Sequence, residues 1–192
     1  MSKQILRNVR LSFPDLWEAR SFMDGEPKFG ATLLLPKDDP QAKAFLAEVK
    51  RLGTEEFKAG WTKAKNLVSD GDEKVKEDGT PYEGYAGHWA IRVSTKKRPA
   101  VVDRDKSALV EADGKPYAGC YVNAVFGLNA FSSQYGKFIT GTLSAIQFVG
   151  DGEAFGGGAS NGGLDDLDSL DDDVGLSPAQ DFEPDDDETA PF

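Results

Sequence analysis

Residues 119–131 read G-C-Y-V-N-A-V-F-G-L-N-A-F, and residues 138–149 read F-I-T-G-T-L-S-A-I-Q-F-V. In the first run Val122, Ala124, Phe126, Leu128 and Ala130 share one side of a period-two alternation. Tyr121, Asn123, Asn129 and Phe131 fall on the other side, with Val125 and Gly127 between them. One face has the composition of a core; the other carries rings and amides that a core does not select. The joint S-S-Q-Y-G-K at 132–137 is polar and contains glycine, so the two runs predict a long β-hairpin. After Asp151-Gly152 the composition changes, and the fold is expected to end near residue 155.

Upstream, residues 4–13 alternate as a strand, with Ile5, Val9, Leu11 and Phe13 inward, Asn8, Arg10 and Ser12 outward, and Pro14 as its end. Phe29, Ala31, Leu33 and Leu35 make one face of a second strand that stops at Pro36. Asp39-Pro40 is a helix start, Asp39 as N-cap and Pro40 in the first helical position. Ala42, Phe45, Val49 and Leu52 then follow at helical spacing, with Phe57 as a possible extension. Residues 61–87 dissolve into charge and turn residues and predict a long, partly mobile insertion. His88–Ser94 alternates again, with Trp89, Ile91 and Val93 on the apolar face. Two segments echo each other, D-G-T-P-Y at 78–82 and D-G-K-P-Y at 113–117, and shared turn chemistry accounts for both. Five main strands with one helix after the second, plus a long insertion, predict a mainly β protein: a five-stranded OB-type barrel rather than a sandwich of seven or more strands.

Charge divides the chain in two. Residues 1–150 hold all 22 Lys and Arg against 19 Asp and Glu, a net +3; the remainder holds 14 acids and no base, −14, which together make the whole-chain −11. The acidic balance therefore belongs to the C-terminal stretch alone, and the body is mildly basic. The lone Cys120 leaves no internal disulfide and suits a reducing cytosol. No apolar run approaches the roughly 18 residues of a membrane span, and no secretory signal follows Met1-Ser2-Lys3. With His88 the only histidine, no catalytic triad or zinc spacing can be assembled. Phosphate-loop glycines are absent as well, so the sequence calls for no cofactor, metal or enzymatic activity.

The run from Gly119 to Ala124, together with Leu143–Val149 and D-G-E-A-F-G at 151–156, resembles a family of bacteriophage single-stranded DNA-binding proteins. The resemblance extends over nearly the whole chain, touching Val9–Phe13 and Ala31–Asp38. It implies an OB-fold DNA-binding domain over residues 1–155. It further implies a glycine-rich linker with a disordered acidic tail over 156–192, closed by an aromatic residue. It also implies action in the cytoplasm of an infected bacterial host.

Non-specific binding of a single strand needs cations along the backbone path and rings on which bases stack. The candidate rings are Phe22, Tyr121, Phe131 and Tyr135, and the candidate cations are Arg10, Lys28, Arg92, Lys96 and Lys137. Each ring has ordinary packing as its competing explanation. In the tail, Asp185, Asp186, Asp187, Glu188 and Phe192 form an acidic segment ending in a ring. This segment is expected to recruit phage or host replication and recombination proteins. The competing function is a scaffold whose tail recruits a partner and whose body never touches nucleic acid.

Overall fold

The computed structural model describes residues 2–21 and 25–155. The strands are β1 (Ser2–Arg20), β2 (Lys28–Pro36), β3 (Lys65–Asn66), β4 (Val68–Asp70), β5 (His88–Thr95), β6 (Ala100–Val102), β7 (Tyr121–Ser133) and β8 (Gly136–Gly150). One α-helix, α1 (Pro40–Phe57), follows β2. Five of the strands close on themselves. β1 pairs with β2, β2 with β5, β8 with β7 and β7 with β1, all antiparallel, and β5 completes the circuit against β8 in parallel. This is the expected five-stranded OB-type barrel, and closure leaves its main strands without a long free edge.

The seam is tight at Gly141. A Cβ there would lie 2.7 Å from Val93 Cγ1, so a residue without a side chain lets β5 and β8 approach. Beyond the seam, short β3 and β6 lie parallel to β8 on either side of the β5 pairing, and β4 adds to β5.

The 119–149 hairpin forms as its alternation predicts. Val122, Ala124, Phe126 and Leu128 are buried, facing Ile139, Leu143, Ile146 and Phe148 inside the barrel. The helix forms at its predicted start: Asp39 accepts a hydrogen bond from the Gln41 backbone N–H at 2.8 Å, and Pro40 occupies the first turn where no N–H is needed. Its buried stripe, Ala42, Phe45, Val49 and Phe57, closes one end of the barrel. The Phe45 ring meets Phe126 edge-on at 5.8 Å.

Three expectations are corrected. β1 does not end at Pro14 but runs to Arg20, with register shifts on either side of Asp15. Nor does its alternation hold. Asn8 (φ 53°) lies in a bulge between Leu6 and Val9, so Leu6 is buried while Ile5 is 45% exposed. At Phe13 a second positive φ, 45°, turns the ring outward to 55% exposure, and Ser12 is buried instead. Finally, residues 61–87 are built into the fold. They supply β3 and β4, place Leu67 in the main core, and bury Tyr85 against Leu34 and Ala90 on the outer face of the barrel. The Lys37 ammonium, 2.6 Å from Asp72 and 2.5 Å from Asp70, ties that insertion to the end of β2 and holds both carboxyls below the usual range.

Candidate nucleic-acid interface

The outer face of β1, β2 and β5 is the surface that the OB architecture offers to single strands. Its side chains follow from register. Ser12 lies opposite Thr32 and Thr32 opposite Arg92; one pair along, Gly30 lies opposite Ser94. The floor is therefore small and polar. At Gly30 it cannot be otherwise, because a Cβ would stand 2.8 Å from the Val93 carbonyl oxygen. Above this floor runs a groove of about 590 Å³, bounded by the cations Arg20, Lys28 and Arg92 and the rings Phe13, Phe29 and Tyr82.

A second cavity of about 380 Å³ adjoins the groove. The two share Phe13, Asp15, Arg20 and Tyr82, and the second adds Tyr85, Lys76 and Phe155. Phe13 and Tyr82 meet edge-to-face at 5.6 Å and 85°. Tyr85 donates from its buried hydroxyl to Ser12 Oγ at 3.1 Å, fixing the insertion over the strands. Desolvation raises that phenol above its usual range, so it stays protonated as a donor.

The predicted site residues divide into three places. Lys28 and Arg92 line the groove; Lys96, at its margin, pairs with Glu26 and holds that carboxyl low. Phe22, predicted alongside them, lies outside the described residues.

Arg10 and Tyr121 belong to a clasp instead. The Arg10 guanidinium sits 4.2 Å from the Phe155 centroid and 5.7 Å from that of Tyr121, and donates to the carbonyls of Glu153 at 2.7 Å and Gly119 at 3.2 Å. The backbone N–H of Phe155 donates to the Ala118 carbonyl at 3.0 Å, and the Gly152 N–H to the Tyr117 hydroxyl. The segment before the acidic tail is thus bound to the rim of the cavity.

Phe131, Tyr135 and Lys137 stand at the tip of the β7–β8 hairpin. Phe131 stacks on Phe138 at 5.5 Å and 17°, with the Lys65 ammonium 5.4 Å from the Phe138 centroid. Tyr135 is 76% exposed at the turn, and the Lys137 ammonium lies over the Phe57 ring at 5.5 Å. The tail residues Asp185, Asp186, Asp187, Glu188 and Phe192 lie outside the described residues.

Sequence reasoning missed Phe13, Arg20, Phe29, Tyr82 and Phe155. Period-two alternation put Phe13 indoors because a bulge is invisible to it, although a ring directly before Pro14 is an unusual core choice. Tyr82 was visible only as the last residue of D-G-T-P-Y, the echo of the segment that ends in Tyr117. Tyr82 lines the groove, and Tyr117 accepts from the Gly152 N–H at the tail root.

Known proteins share this fold. A solved structure of the single-stranded DNA-binding protein from bacteriophage Enc34 in complex with ssDNA is 30% identical, with a TM-score of 0.68 over 81% of this chain and 90% of that one. Protein p50 of Acyrthosiphon pisum secondary endosymbiont phage 1 is 36% identical over 176 residues, 84% of this chain and 92% of that protein. The single-stranded DNA-binding protein gp2.5 of bacteriophage T7 shares the fold at a TM-score of 0.56, with 11% identity over 78% of this chain and 92% of that one. The family model described as the ssDNA-binding protein of Enterobacter phage Enc34 matches residues 2–175. The chain belongs to the Enc34-type family of phage single-stranded DNA-binding proteins.

Proposed function

We propose that this chain binds single-stranded DNA without sequence preference and protects it during phage replication and recombination. The observation that carries the reading is the outward turn of Phe13. A non-glycine residue at φ 45° is uncommon, and such backbone strain costs on the order of 1–3 kcal/mol. That cost sets a large ring, 55% exposed, between two adjoining cavities whose rims carry Arg20, Lys28, Arg92 and Lys76. Rings for stacking beside cations for phosphates are the two ingredients of sequence-tolerant strand binding. The Enc34 relative was solved in complex with ssDNA, which supports strand binding by this chain.

In this reading residues 1–155 are the binding domain. The hairpin tip with Phe131, Tyr135 and Lys137 corresponds to the second OB binding loop and extends the path. Arg10 and Tyr121 contribute by holding the tail root. Residues 156–192 act as linker and acidic tail, competing for the basic face and recruiting replication proteins through Asp185–Glu188 and Phe192. No enzymatic step is assigned. The setting is the host cytoplasm, in keeping with described helices that are not long and apolar enough to cross a membrane.

Titration of fluorescent oligo-dT by the full chain tests the proposal. Saturable binding with a slope of log K against log salt of roughly −2 to −4 is expected from a body of modest positive charge. Absence of saturable binding at low salt favours the scaffold reading.

A further inference from the structure

We propose that the cavity beside the groove is a pocket for one nucleobase, unstacked from its neighbours while the rest of the strand follows the groove. The proposal rests on the single-strand reading above and adds that one position of the footprint is held differently from the others.

Phe13 and Tyr82 line both cavities, so the difference lies in what each adds. The larger groove adds Phe29, Lys28, Arg92 and a small polar floor, as a sugar-phosphate path requires. The smaller one adds the Phe155 ring and the buried Ser12 and Tyr85, with Lys76 and Glu83 as its further charged members. Those two hydroxyls are already paired with each other at 3.1 Å, so they need no solvent. A cavity of about 380 Å³ has room for a base and its sugar, whereas one small ring would leave it largely unfilled. The charged residues shared with the groove, Arg20 and Asp15, form an ion pair at 3.0 Å at the junction. A strand crossing that junction keeps its phosphates beside Arg20 while a base turns inward to the rings.

The third wall makes the pocket distinctive. Phe155 is the last described residue before the acidic tail. Its place is set by the Arg10 guanidinium at 4.2 Å, by its N–H on the Ala118 carbonyl, and by Gly84, where a Cβ would come within 2.2 Å of the ring. The glycine leaves the space that lets the ring close the cavity. A base bound there also touches the root of the tail.

The experiment is abasic scanning in the full chain. The probe is the shortest oligo-dT that saturates the site, carrying one abasic residue moved along its length. Wild-type protein is expected to lose about tenfold in affinity when the pocket base is missing, and no more than about twofold at positions over the polar floor of the groove, since one stacked base contributes on the order of 1–3 kcal/mol. In Phe155→Ala and separately in Tyr82→Ala, that position should become as tolerant as the rest. Each variant must melt as one cooperative transition; should either fail to fold, the other carries the comparison. A uniform penalty along the strand, or a position-specific penalty that persists in a folded variant, overturns the pocket while leaving single-strand binding intact. If the intact oligo-dT does not bind at all, both readings fall together.

Discussion

Replacing Phe13 by alanine separates a ring placed for binding from a ring placed for packing. Phe13 is 55% exposed, so removing its ring returns less than half of its surface to water. Buried aromatic side chains withdraw about 150–250 Å²; under half of that, at about 25 cal/mol per Å², is worth at most roughly 3 kcal/mol. The edge contact with Tyr82 lies within that sum or adds a fraction to it. For a domain of this size the melting temperature should then fall by no more than about 6–12 °C. A core ring such as Phe126, which is fully buried, should cost about 3–5 kcal/mol instead. Loss of one stacking platform should weaken oligo-dT binding by on the order of 1–3 kcal/mol, or about 5–150-fold. Fluorescence anisotropy at 25 °C, where both proteins are folded, reads the affinity, and thermal denaturation reads the stability. Phe13→Leu sharpens the comparison, because it keeps much of the apolar volume and removes the π-face. It should restore most of the stability and little of the affinity. Binding by Phe13→Ala within twofold of wild type would refute the assignment, and full recovery of affinity in Phe13→Leu would reduce the ring to shape alone.

Tyr135→Ala should weaken oligo-dT binding by on the order of 1–3 kcal/mol with an unchanged melting temperature, since the ring is 76% exposed at the hairpin turn; a large drop in melting temperature would mean that the ring packs. Deleting residues 156–192 removes most of the −14 charge and should tighten binding at about 20 mM salt, an effect that fades near 0.15 M where the Debye length is about 8 Å. Equal affinities of the two forms at low salt would end the self-competition reading. Phe192→Ala should leave oligo-dT affinity within about twofold but abolish capture of the cognate replication protein, as read by calorimetry; unchanged capture would leave the tail purely electrostatic. Burial pushes the Cys120 thiol up to about 11, so it should resist alkylation in the native protein at neutral pH. A thiol whose folded value is raised stabilises fully below its ordinary value of 9.0 and loses that contribution as pH climbs toward 11. Cys120→Ala should therefore flatten the stability profile across that window in chemical denaturation, and an identical profile would assign the loss to other groups.

Much of the architecture was legible because its signals are local. The 119–149 hairpin, β2 and β5 each carry an apolar period-two run long enough to read in spite of the bulges in the hairpin, and Asp39-Pro40 marks the helix start with two independent cap preferences. Counting those elements was enough to reach a five-stranded barrel. The division into a basic body and an acidic tail needed only the positions of the charges. Other features depend on contacts distant in the chain. Alternation fails at Asn8 and Phe13 because a bulge shifts every later side chain to the opposite face, and backbone sign is not written in residue type. Residues 61–87 look like a loop because their apolar residues are sparse. Leu67 and Tyr85 find partners only once β5 and β2 have formed the face they cover. Arg10, read as a strand-facing cation, is engaged by carbonyls at 119 and 153 that no spacing rule connects to it. The composition of residues 1–155 determined that rings and cations would be available to a single strand. Which of them share one groove was decided by the β1–β2–β5 pairing and by the insertion and Phe155 packed beside it, because contacts distant in the chain set which outward faces become neighbours.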